Sequence, residues 1–384
     1  MTDQSFLAAV TAVAAVAPSR TALWDGDRRL SYRELVERGN VLSGRLRGLG
    51  IQPGDRAMLV AENSADYLLT AFAVWQAGGV LATVYPSSAA SELGYAVTNA
   101  APRLIITQPH LADAITAATA DRQIPLRLLG GDDLLADSSG GGDLLAGGDL
   151  VAGLPAAAAE PALIAVDPDG PALICYTSGT TSHPKPVTHS HRGLAAAAAA
   201  YASVWRLGPQ DRTAVCLPMA WAFGLVTTSM AALTAGGTVV SLPRFRADQL
   251  LDAIETHRVT FFAGVTTMYV KLVSRLREAG AARDLSSLRL CISGGEPRNE
   301  AVFAEWRRLT GRPVHDVYAS SECFPVVTYD PELDPQPRPG SAGRAAPGVQ
   351  IRVVDADGND VARGVPGEAL CRGPALMLGY WEEP

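Results

Sequence analysis

The sequence predicts a mainly parallel α/β fold, and three observations lead there. Short apolar runs of strand character recur along the chain, and stretches with helical spacing separate most of them. With 384 residues, 48% of them hydrophobic, the chain is also long enough for two or three packed units. Such a composition can bury enough apolar surface to offset the entropy of ordering, which excludes disorder as the dominant state.

Residues 6–17 come first. Phe6, Val10, Val13 and Ala17 recur at helical spacing, Pro18 ends the run, and Asp3 stands where a signal peptide needs basic residues. An amphipathic helix is predicted there. Residues 21–24 and 29–30 form a hairpin about Asp25-Gly26, and Ser31 caps the following helix, with Glu34 completing a capping box. Residues 56–61 read as a buried strand and 66–78 as a helix. Further strands are predicted at 80–84, 104–107, 172–176, 213–216, 238–241, 260–263 and 288–293. Residues 130–159 break this rhythm with Asp-Leu-Leu-Ala fragments at 133–136 and 143–146 and Asp-Leu-Val-Ala at 149–152, and read as an exposed loop. After Pro337 the chain changes to Gly/Pro-punctuated strands such as 350–354 and 369–372, an all-β subdomain.

A net charge of -7 and a pI near 5.4 argue against a nucleic-acid binder. The 32 basic residues include only two lysines, Lys185 and Lys271, so a lysine kept against that bias is a candidate for chemistry that arginine cannot perform. Cys175, Cys216, Cys291, Cys323 and Cys371 lack metal-ligand spacing and read as reduced, packed thiols of a cytosolic protein. No apolar run reaches membrane-spanning length unbroken, so a soluble cytoplasmic protein with neither membrane nor nucleic-acid partners is expected.

The strongest signal is residues 176–191, Tyr-Thr-Ser-Gly-Thr-Thr-Ser-His-Pro-Lys-Pro-Val-Thr-His-Ser-His. This hydroxyl- and glycine-rich loop follows an apolar strand, carries Lys185 and leads into a helix starting near Gly193. Its N–H groups, hydroxyls and ammonium can hold phosphate. The GxxxxGK[ST] pattern is absent, which disfavours a P-loop kinase or GTPase. Taken alone, such a Ser/Thr-rich segment is more often an ordinary polar surface loop.

The loop resembles the phosphate-binding TSGTTGxPKG segment of the adenylate-forming superfamily, which includes acyl-CoA synthetases, peptide synthetase adenylation domains and luciferases. Further blocks follow in the family's order: Pro218-Met-Ala-Trp-Ala-Phe-Gly224, Gly264-Val-Thr-Thr-Met-Tyr269, Ser293-Gly-Gly-Glu-Pro297, Tyr318-Ala-Ser-Ser-Glu322, Gly340-Ser-Ala-Gly343 and Gly379-Tyr-Trp381. The resemblance implies two doubly wound α/β subdomains within residues 1–336 and a small β-barrel-like subdomain starting at 337–384. It places the family's ribose-binding Asp block and its small C-terminal α+β domain beyond this chain.

The resemblance also implies an activity. The family couples a carboxylic acid to ATP, giving an acyl-adenylate, and passes the acyl group to a thiol, commonly coenzyme A. Thr177, Ser178, Gly179, Thr180, Thr181 and Ser182 would hold phosphate beside Lys185. Tyr318 would stack on adenine opposite Gly294, Gly295, Glu296 and Pro297, with Ala319 and Ser320 beside it. Ser321 would reach the α-phosphate, and Glu322 would hold Mg2+. Trp221, Phe223, Gly224, Val265 and Met268 would line the acyl pocket, although a packed core indole fits Trp221 as well. The small residues Ala220, Ala263, Gly264, Gly294 and Ala319 would leave that pocket roomy, suited to an aryl or bulky alicyclic acid. His189 and His191 either orient the loop, cap the helix or face solvent.

Two departures bear on mechanism. Ser182 and Pro186 stand where the family loop has glycine, and proline offers no N–H to a phosphate. Three readings follow: a ligase that only thioesterifies an adenylate supplied by a partner adenylating enzyme, a fully ATP-dependent synthetase or adenylation domain, or a non-catalytic adenylate binder. The second departure is the chain's length. Without the small domain, this polypeptide is expected to bind ligands and to catalyse weakly.

Overall fold

The computed structural model describes residues 5–120, 122, 124–129, 150, 166–177, 184–278 and 283–382. Among these, two large sheets dominate. A seven-stranded sheet runs in the order Gly379–Tyr380, Lys185–Ser190, Pro171–Thr177, Val80–Val84, Arg56–Val60, Leu104–Thr107 and Leu126–Leu128. From Pro171–Thr177 onward its strands are parallel, while Lys185–Ser190 and Gly379–Tyr380 join antiparallel. A nine-stranded sheet runs Arg344–Ala345, Cys323–Thr328, Val314–Ser320, Leu290–Gly294, Phe261–Gly264, Arg212–Val215, Thr238–Ser241, Thr21–Asp25 and Arg28–Ser31. Its central strands are parallel and its edges antiparallel.

Helices cover both faces of each sheet, the doubly wound arrangement that parallel strands require because both faces must be buried. One core lies between the sheets and includes Trp75, Tyr201, Trp205 and Phe261. A second lies under helices Ala247–His257, Thr266–Glu278 and Glu300–Thr310, and a third under Ala90–Ala100 and Pro109–Ala118. Buried polar bonds register the sheets against each other. The Asn63 amide donates to the Leu217 carbonyl at 2.8 Å and accepts from the Met219 N–H at 2.7 Å. Thr83 Oγ1 donates to the Ala220 carbonyl at 2.8 Å. The loop that carries Trp221 is thereby fastened to the opposite sheet.

The capping box forms as the sequence requires: Ser31 Oγ accepts from the Glu34 N–H at 3.2 Å, and Glu34 Oε2 accepts from the Ser31 N–H at 2.8 Å. Three differences from the sequence reading matter. The chain after the phosphate loop forms the strand Lys185–Ser190 before helix His191–Val204 begins, because the loop folds it back against Pro171–Thr177. The final β segment contains the two-stranded pair Gln350–Val354 and Glu368–Arg372, with no closed barrel among the described residues; Arg344–Ala345 and Gly379–Tyr380 instead extend the large sheets. Of residues 130–159, only Leu150 is described, and it is buried, its N–H donating to the Leu128 carbonyl. All five cysteines are free, and all but Cys371 are buried. Among the described residues, no helix is long and apolar enough to cross a membrane.

Replacing Ser31 by Ala removes one half of the capping box and leaves an orphan N–H at the helix start. Urea denaturation should show a loss of about 1 kcal/mol, with an unchanged m-value.

Candidate active site

The cleft forms where the carboxyl ends of strands from both sheets converge, the usual ligand position in open α/β sheets. Strands Pro171–Thr177, Phe261–Gly264 and Leu290–Gly294 deliver Thr177, Val265 and Gly295 to the wall of a cavity of about 290 Å³. Trp221 enters from the loop after Arg212–Val215, Phe223 from the start of the helical stretch Phe223–Met230, Ala319 and Ser320 from the end of strand Val314–Ser320, and Ser321 from the turn that follows it. The remaining wall is mainly apolar, including Leu217, Val317 and Phe324, and no charged side chain lines it among the described residues. Cys175 also lines it; burial, and secondarily the nearby Glu322 charge, push its thiol up to about 12, so it stays protonated.

Trp221 is half-exposed at the mouth, its ring 5.4 Å from that of Tyr85, so it is a wall of the opening and not a core indole. It leads into Phe223–Met230, a π-helical stretch whose start depends on glycine. A Cβ on Gly224 would occupy the Pro218 carbonyl, so no larger residue lets this turn close. Gly224 therefore shapes the wall without lining the cavity. Met268 packs its thioether beside Gly264 and against the core under the outer helices, away from the cavity wall.

Ser321 and Glu322 are the turn of the hairpin between Val314–Ser320 and Cys323–Thr328, with Ser320 paired to Cys323. Both of their carbonyls are held. The Ser321 carbonyl accepts from His189 Nε2 at 2.7 Å, and the Glu322 carbonyl accepts from the Met377 N–H at 2.8 Å. A carbonyl only accepts, so His189 carries its proton on Nε2, leaving Nδ1 buried without a partner. The ring lies 4.6 Å from Phe324, and burial pushes its pKa down to about 4. His189 thus holds the Ser321-Glu322 turn, a contact that none of the three sequence alternatives (orienting the phosphate loop, capping the helix or facing solvent) describes. His191 is buried at the first position of the helix, whose cap is Ser190.

Glu322 Oε1 accepts from the Tyr380 hydroxyl at 3.0 Å, and the Lys185 ammonium lies 5.1 Å from the Tyr380 ring centre. Tyr380 therefore joins the two residues to which the resemblance gives opposite charges in phosphate chemistry. Burial and the Glu322 bond raise its pKa, which keeps it a donor. The sequence reading named Tyr380 only as part of a late block; its pairing with Lys185–Ser190 is what brings it into the site. Pro186 also lies in that strand, its carbonyl accepting from the Trp381 N–H, and not in the loop itself. Ser178, Gly179, Thr180, Thr181 and Ser182 lie outside the described residues.

Tyr318, to which the resemblance gives the adenine, is exposed beside an irregularity in its strand pairing. A Cβ on Gly294 would meet Val317 Cγ1 at 2.6 Å, and Gly295 adopts φ +75°, so this turn needs both glycines. Glu296 is engaged elsewhere: it accepts from the Thr267 N–H at 2.8 Å and the Thr267 hydroxyl at 2.9 Å, fixing the start of helix Thr266–Glu278. The Pro297 carbonyl accepts from Thr266. These two residues brace the wall instead of facing the cavity.

The family model of AMP-binding enzymes matches residues 10–381. The chain is 33% identical to the indoleacetate–CoA ligase of Aromatoleum aromaticum, over 96% of this chain and 70% of the relative, and 31% identical to a feruloyl-CoA synthase of Amycolatopsis, over 97% and 70%. Apo MatB from Rhodopseudomonas palustris superposes with a TM-score of 0.84 at 30% identity, over 99% of this chain and 72% of that one. The chain belongs to the AMP-binding enzyme family. Within it, the chain is of the acid–CoA ligase type, an acid–thiol ligase class that uses ATP and CoA.

Neutral burial of His189 ties stability to pH. Its folded pKa is below the ordinary imidazole value near 6.5, so the contribution is complete above about pH 6.5 and is lost as pH falls towards 4. Unfolding free energies from urea denaturation should therefore decline across that window by an amount on the order of 3 kcal/mol. His189→Gln, which keeps a donor for Ser321 but does not titrate, should flatten the decline.

Proposed function

We propose that this chain binds ATP and a bulky apolar or aryl monocarboxylic acid in one cleft, forms the acyl-adenylate and presents it to CoA. The observation that carries this reading is the juxtaposition of an uncharged, mostly apolar cavity with a polar rim of Ser320, Ser321, Glu322, Tyr380 and Lys185. In the first step a carboxylate oxygen attacks the α-phosphorus, the α–β anhydride bond breaks and pyrophosphate leaves. In the second a thiolate attacks the acyl carbonyl and AMP leaves with the electron pair of the broken C–O bond. Apolar walls seat the acid and exclude water. Lys185 counters phosphate charge, and the Ser320 and Ser321 hydroxyls donate to phosphate oxygens. Tyr318 stacks on the adenine.

Glu322 suits a hard cation: one carboxylate oxygen is held by Tyr380, and among the described residues no hydrogen-bond donor holds the other. No cluster of three or more metal-ligating side chains occurs among the described residues, so Mg2+ would take most of its ligands from phosphate and water. When bound, the ion would neutralise charge on the phosphate oxygens.

The position of Pro186 supports ATP use. Its nitrogen lies in the strand Lys185–Ser190, paired opposite Tyr176, and its neighbour Lys185 still reaches the rim beside Tyr380. Thermal-shift titration separates the readings. ATP with Mg2+ and a non-hydrolysable acyl-adenylate should each raise Tm, with saturation near 100 Kd contributing about 2.7 kcal/mol. Stabilisation by the adenylate alone would assign the chain to the thioester half-reaction with a partner adenylating enzyme, and stabilisation by neither overturns adenylate binding. Glu322→Gln and Lys185→Met should each weaken ATP binding about tenfold or more while sparing the aryl group's contribution.

A further inference from the structure

Two of the five cysteines meet beside the candidate active site. Cys323 follows Glu322 directly and is buried, while Cys371 is half-buried on strand Glu368–Arg372. Cys371 is the one residue of its strand that is not exposed, and its register partner Ile351 is half-buried too, so this pair faces the body of the molecule. The chain beyond Cys371 closes back on Cys323. Leu376 forms a bridge to Cys323, and Val349, Gly373 and Pro374 share the walls of a narrow cleft with it. Within this contact the Cys323 thiol donates a hydrogen bond to Cys371 Sγ. The remaining thiols are placed differently: Cys175 lies on the cavity wall, and Cys216 and Cys291 in the core under the outer helices.

We propose that Cys323 and Cys371 form a redox-modification site, in which a low-molecular-weight disulfide converts the two thiols to a reversible bond that staples the two-stranded sheet to the Ser321-Glu322 turn. The half-buried thiol reacts first. Cys371 loses its proton, and its thiolate attacks one sulfur of the small disulfide, whose S–S bond breaks and releases one small thiolate. The Cys323 thiol then gives up its proton and attacks Cys371 Sγ, and the second small thiolate leaves. The chain has lost two electrons and two protons, and the small disulfide has been reduced to two thiols. Burial, and then the contact with Cys371, hold the Cys323 thiol up at about 12, so it resolves the mixed disulfide and does not start the reaction.

The bond is felt at the rim. A disulfide holds its sulfurs closer than a hydrogen bond does, so closure draws Cys323 towards the outer strand. Glu322 must follow, because it adjoins Cys323 and its carbonyl is held by Met377, a few residues beyond Cys371. That movement strains the Tyr380 bond to the Glu322 carboxylate. Resting on the function proposed above, oxidation is therefore expected to weaken the binding of ATP with Mg2+.

The test treats the intact chain with oxidised glutathione, blocks the remaining thiols and maps linked peptides by mass spectrometry before and after dithiothreitol. A Cys323–Cys371 link should form and disappear on reduction. Calorimetric titration should show ATP–Mg2+ binding weakened about tenfold by oxidation and restored by reduction. Cys371→Ser should bind ATP equally well with and without oxidant; it keeps Cys175, so it controls for modification of the cavity wall. Absence of the link overturns the inference, as does a linked chain that binds ATP as before. An equal loss on oxidation of Cys371→Ser also overturns it, since the sensitivity would then belong to another thiol. Failure of the reduced chain to bind ATP falls on the proposed function, and formation or absence of the link still decides the thiol pair.

Discussion

The structure depends on how the Ser321-Glu322 turn is gripped. A two-residue hairpin turn presents two carbonyls and a carboxylate, and each has a different donor: the imidazole of His189, the backbone of Met377 and the phenol of Tyr380. His189 belongs to the seven-stranded sheet and the turn to the nine-stranded one, so these bonds fix the distance between the sheets at the place where a ligand would sit. Charge is arranged by the same contacts. Tyr380 holds Glu322 from one side and offers its ring face to Lys185 on the other, an approach that does not require a direct Lys–Glu pair. A direct pair would leave both groups less available to phosphate and to a cation.

The cavity follows from a second constraint, the helical stretch Phe223–Met230. A π-helical turn is wider than an α-helical one and rare outside functional sites. Here it is closed by Gly224 against Pro218 and tightened by Thr228 and Ser229, which sets Phe223 and Thr227 on the cavity wall. The loop before it is bonded to Asn63 and Thr83 of the opposite sheet. The pocket is thus shaped by backbone carbonyls caught between elements distant in sequence, and less by the bulk of its lining.

Much of this was legible in the sequence where the signal is local. The strands Val80–Val84, Leu104–Thr107 and Thr238–Ser241 stand where their apolar runs place them, and the Ser31–Glu34 box forms because both partners lie within one turn. What failed to show was set by long-range pairing. Lys185–Ser190 sets only Val187 and Thr188 as strand formers against Lys, Pro, His and Ser, a weak local signal; its strand state comes from the neighbours on either side. Met268 sits at helical spacing among pocket residues, but its side chain turns to the outer core, a choice that a motif does not encode. Ordered family blocks located the cleft, yet they did not separate Glu296, which braces a helix, from the residues that face the cavity.

The pairing of Gly379–Tyr380 with Lys185–Ser190 also sets a folding order. Strands that begin near residue 56 and contacts that end near residue 380 belong to one sheet, so its last edge cannot close until nearly all of the described chain is available. Loop-closure entropy delays such distant contacts. During synthesis the parallel core strands can assemble first, with the Lys185–Tyr380–Glu322 arrangement among the final contacts made. A partly folded chain would then carry a hydrophobic cleft before Lys185 and Glu322 are drawn together across Tyr380 at its rim.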